Sequence, residues 1–134
     1  MADEAEKKLK IIIVDDDDFL VDMYATKFGA SGAEVVACKS GASLFEKLGA
    51  GEQADLILLD IVIPQMNGLE ILKHLREKNM AEGVPIVMLT NQNDEKDVAL
   101  AQSLGVAGYI VKSSATPSEV VEEALKVIKE NKKT

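Results

Sequence analysis

A chain of 134 residues, 47% hydrophobic and 28% charged, is long enough for one domain with a real core and too apolar to be disordered. Its net charge of −8, with Arg76 as the one arginine, argues against a surface that grips phosphate backbones or anionic membranes. The polar start from Met1 to Lys10 lacks an apolar signal core, no run approaches membrane-spanning length, and the single Cys38 excludes an internal disulfide, so a cytoplasmic protein without a direct nucleic-acid or membrane partner is expected.

Candidate elements alternate along the chain. Lys10 to Val14, built on Ile11-Ile12-Ile13-Val14, reads as a strand buried on both faces. Four aspartates, Asp15 to Asp18, follow it directly. Two unit charges about 4 Å apart repel by roughly 4 kcal/mol at an effective dielectric near 20, so such a run must be solvated, spread out, protonated or neutralised by a cation. Leu20, Met23, Tyr24, Lys27 and Phe28 then recur at helical spacing, with Gly32 as a stop. Glu34 to Cys38 is the second strand, in which Cys38 reads as a buried thiol because no neighbour completes a metal or redox motif. A short helix, Ser43 to Leu48, precedes the third strand, Leu56 to Asp60. Asn67-Gly68-Leu69-Glu70 offers a capping box for a helix from Leu69 to about Asn79, within which His74 is expected to face solvent. Pro85 to Thr90 is the fourth strand, Asp94 to Leu104 the fourth helix closed by Gly105, and Gly108 to Lys112 the fifth strand. Thr116-Pro117-Ser118-Glu119 starts the last helix with a cap, a proline at the first helical position and a glutamate that completes a capping box. Lysines between Lys126 and Lys133 suit the carboxyl end of that helix. No repeat, low-complexity tract or linker divides the chain.

Strands rich in Ile, Val and Leu, each followed by a helix, imply an α/β fold: a doubly wound, five-stranded parallel sheet with helices on both faces. Ligand sites in such sheets lie beyond the carboxyl ends of the strands. There the chain delivers Asp15, Asp16, Asp60, Thr90 and Lys112. Clustered carboxylates with hard oxygen donors suit Mg²⁺, and a cation with a lysine and a hydroxyl can neutralise a phosphoryl group arriving on a carboxylate. Asp17 and Asp18 read as the start of the first helix, where negative charge complements the dipole. Met66, Met80 and Met88 read as packing or surface residues.

At this point the chain resembles a known family, the receiver domains of two-component response regulators, including single-domain chemotaxis-type regulators. The matching stretches are Ile-Ile-Val-Asp-Asp-Asp at 12–17, Asp-Leu-Ile-Leu-Leu-Asp-Ile-Val-Ile-Pro-Gln-Met-Asn-Gly-Leu-Glu at 55–70, Val-Met-Leu-Thr at 87–90 and Gly-Tyr-Ile-Val-Lys at 108–112. The resemblance implies a flavodoxin-like strand order 2-1-3-4-5, with the receiver over residues 9–131 behind a polar extension at 1–8. It implies Asp60 as phosphoacceptor, Mg²⁺ (Mn²⁺ as a substitute) bound by Asp16, Asp60 and the Val62 backbone carbonyl, and Asp15 acting through water. Thr90 would hydrogen-bond the phosphoryl group, Lys112 would pair with its charge, and Tyr109 would move inward as a switch with Thr90. The fourth helix, fifth strand and fifth helix would carry the signal. The implied partner is a histidine kinase or phosphotransfer protein, and the implied activity is self-catalysed phosphotransfer and dephosphorylation rather than that of an enzyme acting on a separate substrate.

Two positions depart from the family pattern. Asn91 stands where a small residue usually follows the threonine, and Ser113 where a proline in a cis peptide usually follows the lysine. A cis bond before a non-proline residue costs about 2.5–4 kcal/mol, so Lys112-Ser113 is expected to be trans. Val62 and Gln92 occupy the positions that tune the lifetime of the phosphoryl group; Val62 cannot orient an attacking water, so slow self-dephosphorylation is expected. Val106-Ala107-Gly108-Tyr109 lacks the acidic pair used in dimers of transcriptional receivers, so a monomer or weak dimer is expected. Competing readings are a phosphorylation-independent receiver-like adaptor and an aspartyl-nucleophile phosphohydrolase, although the latter carries its nucleophile on the first strand.

Overall fold

A computed structural model describes residues 8–91 and 94–132. Five strands, β1 (Lys10–Val14), β2 (Glu34–Cys38), β3 (Leu56–Asp60), β4 (Ile86–Thr90) and β5 (Gly108–Val111), alternate with five α-helices. These are α1 (Asp18–Ala30), α2 (Gly41–Gly49), α3 (Gly68–Glu77), α4 (Glu95–Ser103) and α5 (Pro117–Lys132). All strand pairings are parallel, in the order β2-β1-β3-β4-β5. That is the expected doubly wound sheet. Two strand boundaries differ from the sequence reading. Pro85 stays outside β4, since it has no N–H to give the ladder. Lys112 leaves the sheet and opens a 3₁₀ turn, Lys112–Ser114. The residues of the polar extension before Lys8 lie outside the described ones.

The central strands explain the core. Their side chains alternate faces, and both faces are covered. Ile11, Ile13, Leu56, Leu58, Val87 and Leu89 pack against Val21, Tyr24 and Phe28 of α1 and Val120, Ala124 and Ile128 of α5. Ile12, Val14, Ile57, Leu59, Ile86 and Met88 pack the other way, against Leu44 of α2, Leu69 and Leu72 of α3 and Ala101 of α4. Each fully buried Ile or Leu contributes about 1.5–3 kcal/mol of transfer free energy, so the unbroken apolar runs commit these strands to the centre.

Local signals set the helix ends. Asp17 caps α1 by accepting from the Leu20 N–H at 3.1 Å, and Asp18 lies in its first turn, so this half of the aspartate run starts a helix as expected. Asn67 and Glu70 form both arms of a capping box on α3, at 2.9 and 3.0 Å. Thr116 and Glu119 do the same for α5, at 3.1 and 2.8 Å. His74 is not a solvent-facing residue: it is half-buried, its ring 4.3 Å from that of Phe45 on α2. Cys38 is buried, and burial pushes its thiol pKa up.

Candidate functional site

Strand register assembles the site. Val14 pairs with Leu59, so Asp15, the next residue after β1, is level with Asp60. Asp60 pairs with Leu89 and Thr90 with Val111, which puts Thr90 one step and Lys112 two steps further along the same edge. Alternation then sorts these side chains by face. Asp15 continues the parity of Ile11 and Ile13 and Asp60 that of Leu56 and Leu58, toward α1 and α5, and the 3₁₀ turn after β5 brings Lys112 to these two carboxylates. Thr90 continues the parity of Ile86 and Met88, toward α4, and Tyr109 packs on that same face.

The acidic side is tightly wired. The Lys112 ammonium donates to Asp15 Oδ2 at 2.8 Å and to Asp60 Oδ2 at 3.2 Å. The remaining oxygens are held by backbone: the Asp17 N–H donates to Asp15 Oδ1 at 2.9 Å, and the Val62 N–H to Asp60 Oδ1 at 3.3 Å. Asp15 and Asp60 are buried, at 1% and 4% exposure, whereas Asp16 is exposed. Carboxylate oxygens of all three lie within 4.8 Å of one another, which among the described residues makes them the group able to share a cation. Three hard oxygen donors, one open to solvent, fit Mg²⁺ or Mn²⁺. Burial, and then the neighbouring Asp15 carboxylate, push the Asp60 pKa up to about 6, against the opposing pull of Lys112 and the Val62 N–H. Burial works against the Lys112 charge, but the hydrogen bond and charge of Asp15, with Asp60 behind it, raise its pKa overall.

Lys112 reaches both carboxylates with no cis peptide bond in the described chain. The 3₁₀ turn at Lys112–Ser114 presents the lysine without a proline. Thr90 is buried, Asn91 beside it is exposed, and Gln92 lies outside the described residues. Val62 is 64% exposed, its side chain turned to solvent while its N–H serves Asp60. The Tyr109 hydroxyl is shut off from solvent and makes no hydrogen bond of good geometry among the described residues; burial pushes its pKa up, as does the charge of Asp97, while the neighbouring Thr90 hydroxyl holds it down.

Three contributions escaped the sequence reading. Tyr24 looked like core alone, yet its hydroxyl, raised mainly by burial, also feels the charges of Lys112, Asp15 and Asp60. Gly68 lies against β3: its N–H donates to the Ile61 carbonyl at 2.8 Å, and a Cβ there would overlap the Asp60 carbonyl oxygen and stand 2.9 Å from Ile61 Cα. Arg76 reaches across to the end of α4, donating to the carbonyls of Leu104 and Gly105. Only the Asn-Gly capping signal hinted at the second of these, and nothing local hinted at the other two.

Known proteins resemble this chain in sequence and in fold. A family model described as the response regulator receiver domain matches residues 11–125. The chain is 34% identical over 111 residues to the alkaline phosphatase synthesis transcriptional regulatory protein PhoP of Bacillus subtilis, covering 83% of this chain and 45% of that protein. It is 32% identical over 121 residues to the chemotaxis protein CheY1 of Helicobacter pylori strain J99, covering 90% of this chain and 96% of that protein. A crystal structure of a CheY-like response regulator receiver domain protein from Methanospirillum hungatei JF-1 matches with a TM-score of 0.85 at 25% identity, over 95% of this chain and 98% of that one. The chain therefore spans under half of the Bacillus regulator and nearly all of the Helicobacter protein.

Proposed function

Because the chain belongs to the response regulator receiver family, we propose that it is a phosphorylatable receiver of a two-component or phosphorelay system, with Asp60 as the acceptor. The observation that carries this reading is a buried Asp60 carboxylate held between the Lys112 ammonium and the Val62 N–H, inside a group of three carboxylates able to share a cation. The donor is a phosphohistidine of a histidine kinase or phosphotransfer protein in the cytoplasm. A carboxylate oxygen of Asp60 attacks phosphorus; the P–N bond breaks, its electron pair stays on the imidazole, and an acyl phosphate forms. In the reverse half of the cycle a water attacks phosphorus, the Asp60 carboxylate leaves, and inorganic phosphate carries the water's protons away.

Each residue has a role set by charge. Attack needs ionised Asp60, and a pKa of about 6 leaves it mostly ionised at neutral pH. A Mg²⁺ held by Asp16, Asp60 and the Val62 carbonyl, with Asp15 acting through water, would supply positive charge against the phosphoryl oxygens. Lys112 moves its donors from the carboxylates to the phosphoryl group, and Thr90 donates its hydroxyl to a phosphoryl oxygen. Drawing Thr90 toward the acceptor alters the packing of Tyr109, which shares its face of the sheet, and so changes the α4–β5–α5 surface that carries the signal.

Mass spectrometry after treatment with Mg²⁺ and acetyl phosphate tests the reading. Wild type gains one phosphoryl group and Asp60→Ala gains none; an unmodified wild type, or equal labelling of both, overturns it. Val62 supplies no polar atom to orient water, so the acyl phosphate should be long-lived even if Gln92 assists. A phosphate-release time course should show a lifetime well beyond a few seconds, and complete loss within seconds would contradict this assignment of Val62.

A further inference from the structure

We propose that Arg76 is a positioning residue that fixes the pivot of α4, confining the phosphorylation-dependent change of the α4–β5–α5 surface to the amino-terminal part of that helix; this rests on the receiver reading above. The chain's one arginine sits in the last turn of α3. Its Nε donates to the Leu104 carbonyl at 2.7 Å and its Nη2 to the Gly105 carbonyl at 3.1 Å. Leu104 is the carboxyl-terminal cap of α4, and Gly105 follows at φ +79°. Helix ends leave carbonyls without partners and carry partial negative charge, so a guanidinium fork there forms two charge-assisted bonds.

That grip matters because, among the described residues, α4 buries little of itself. Ala101 is its one fully buried residue, and Leu100 is 44% exposed. Immediately after the clamp, the Ala107 N–H donates to the Ile86 carbonyl at 2.8 Å, which enters the sheet two residues before Tyr109. The joint between α4 and β5 is therefore held from both sides. The other end of α4 starts five residues after Thr90, and its cap, Asp94, bonds to the helix itself, accepting from Lys96 N–H at 2.8 Å. A shift at Thr90 therefore reaches the lightly held end first. On the opposite side, Arg76 is carried by a 10-residue helix whose first residue is bonded to the loop after Asp60 through Gly68 and Ile61. The helix acts as a strut of about 15 Å between the acceptor strand and the joint.

Amide hydrogen exchange on the whole chain, with and without Mg²⁺ and acetyl phosphate, separates this from a merely stabilising role. In wild type the phosphorylation-dependent change within α4 and its joint to β5 should stay within residues 91–100 and leave 104–107 protected. Arg76→Gln should take up phosphoryl groups normally, exchange about tenfold or more faster at 104–107 in the unmodified state, and let the phosphorylation-dependent change spread into 104–107. Arg76→Lys keeps the charge and stem but cannot span two carbonyls with a planar fork, so it should fall between the two. A stabilising role alone would speed exchange equally in both states without moving that boundary. A wild-type change that already reaches 104–107, or an unmoved boundary in both variants, overturns the pivot. Failure of wild type to accept a phosphoryl group instead sinks the receiver reading and this proposal with it.

Discussion

Burying the Asp60 carboxyl beside that of Asp15 costs stability once it is ionised. Its pKa is about 6 in the folded protein against 3.8 for an ordinary aspartate, so the fold binds its proton more tightly than the unfolded chain does. That contribution is fully present below pH about 4 and is lost as the pH rises through about 6. Across the two values it amounts to about 3 kcal/mol at most, taking 1.36 kcal/mol per unit. Urea unfolding in a chelator should therefore find Asp60→Asn more stable than wild type at pH 7.5, with the gap closing toward pH 4. No gap at pH 7.5, or one that widens on acidification, would refute this. Added Mg²⁺ should raise the stability of wild type and move Asp60→Asn far less, since binding to the folded state alone stabilises it.

At the level of elements, the contact between α3 and β3 is the most demanding. Gly68 has room for no side chain, because a Cβ would meet the backbone of Asp60 and Ile61 rather than a side chain able to move away. Gly68→Ala should cost roughly 1–3 kcal/mol or somewhat more, as overpacking does, seen as a lower urea midpoint at unchanged slope. Gly29→Ala, in α1 with open space around the added carbon, is the control and should be neutral or stabilising by up to about 1 kcal/mol. Equal effects at the two sites would show that the close approach does not matter. Helices were largely legible because their signals are local: Asn67 with Glu70 and Thr116 with Glu119 spell out their own caps. His74 was misread for the complementary reason. A ring partner on another helix, Phe45, leaves no trace in the spacing of α3.

The molecule as a whole carries a net charge of −8, and its exposed large apolar residues, Phe19, Val62 and Leu100, stand on three separate elements. Self-repulsion, and the scatter of these exposed apolar residues among the described ones, both work against tight self-association. Sizing chromatography should give a monomer or weak dimer, with and without acetyl phosphate and Mg²⁺. A stable dimer formed only after phosphorylation would instead make the α4–β5–α5 surface a self-interface. Among the described residues, no helix is long and apolar enough to cross a membrane.

Local patterning is enough to imply the five parallel strands, the residues at their carboxyl ends and the separation of Asp15 and Asp16 from the helix-starting Asp17 and Asp18. Unbroken apolar runs can only be buried, and polar residues that end such runs can only emerge together at one edge. Tertiary structure alone decided how those residues meet. Register put Asp15 level with Asp60, the turn after β5 brought Lys112 to both, strand parity turned Thr90 toward Tyr109, and the Arg76 fork found carbonyls 28 and 29 residues away. These are long-range distances and orientations, and a sequence carries them only through the fold that its local patterns build.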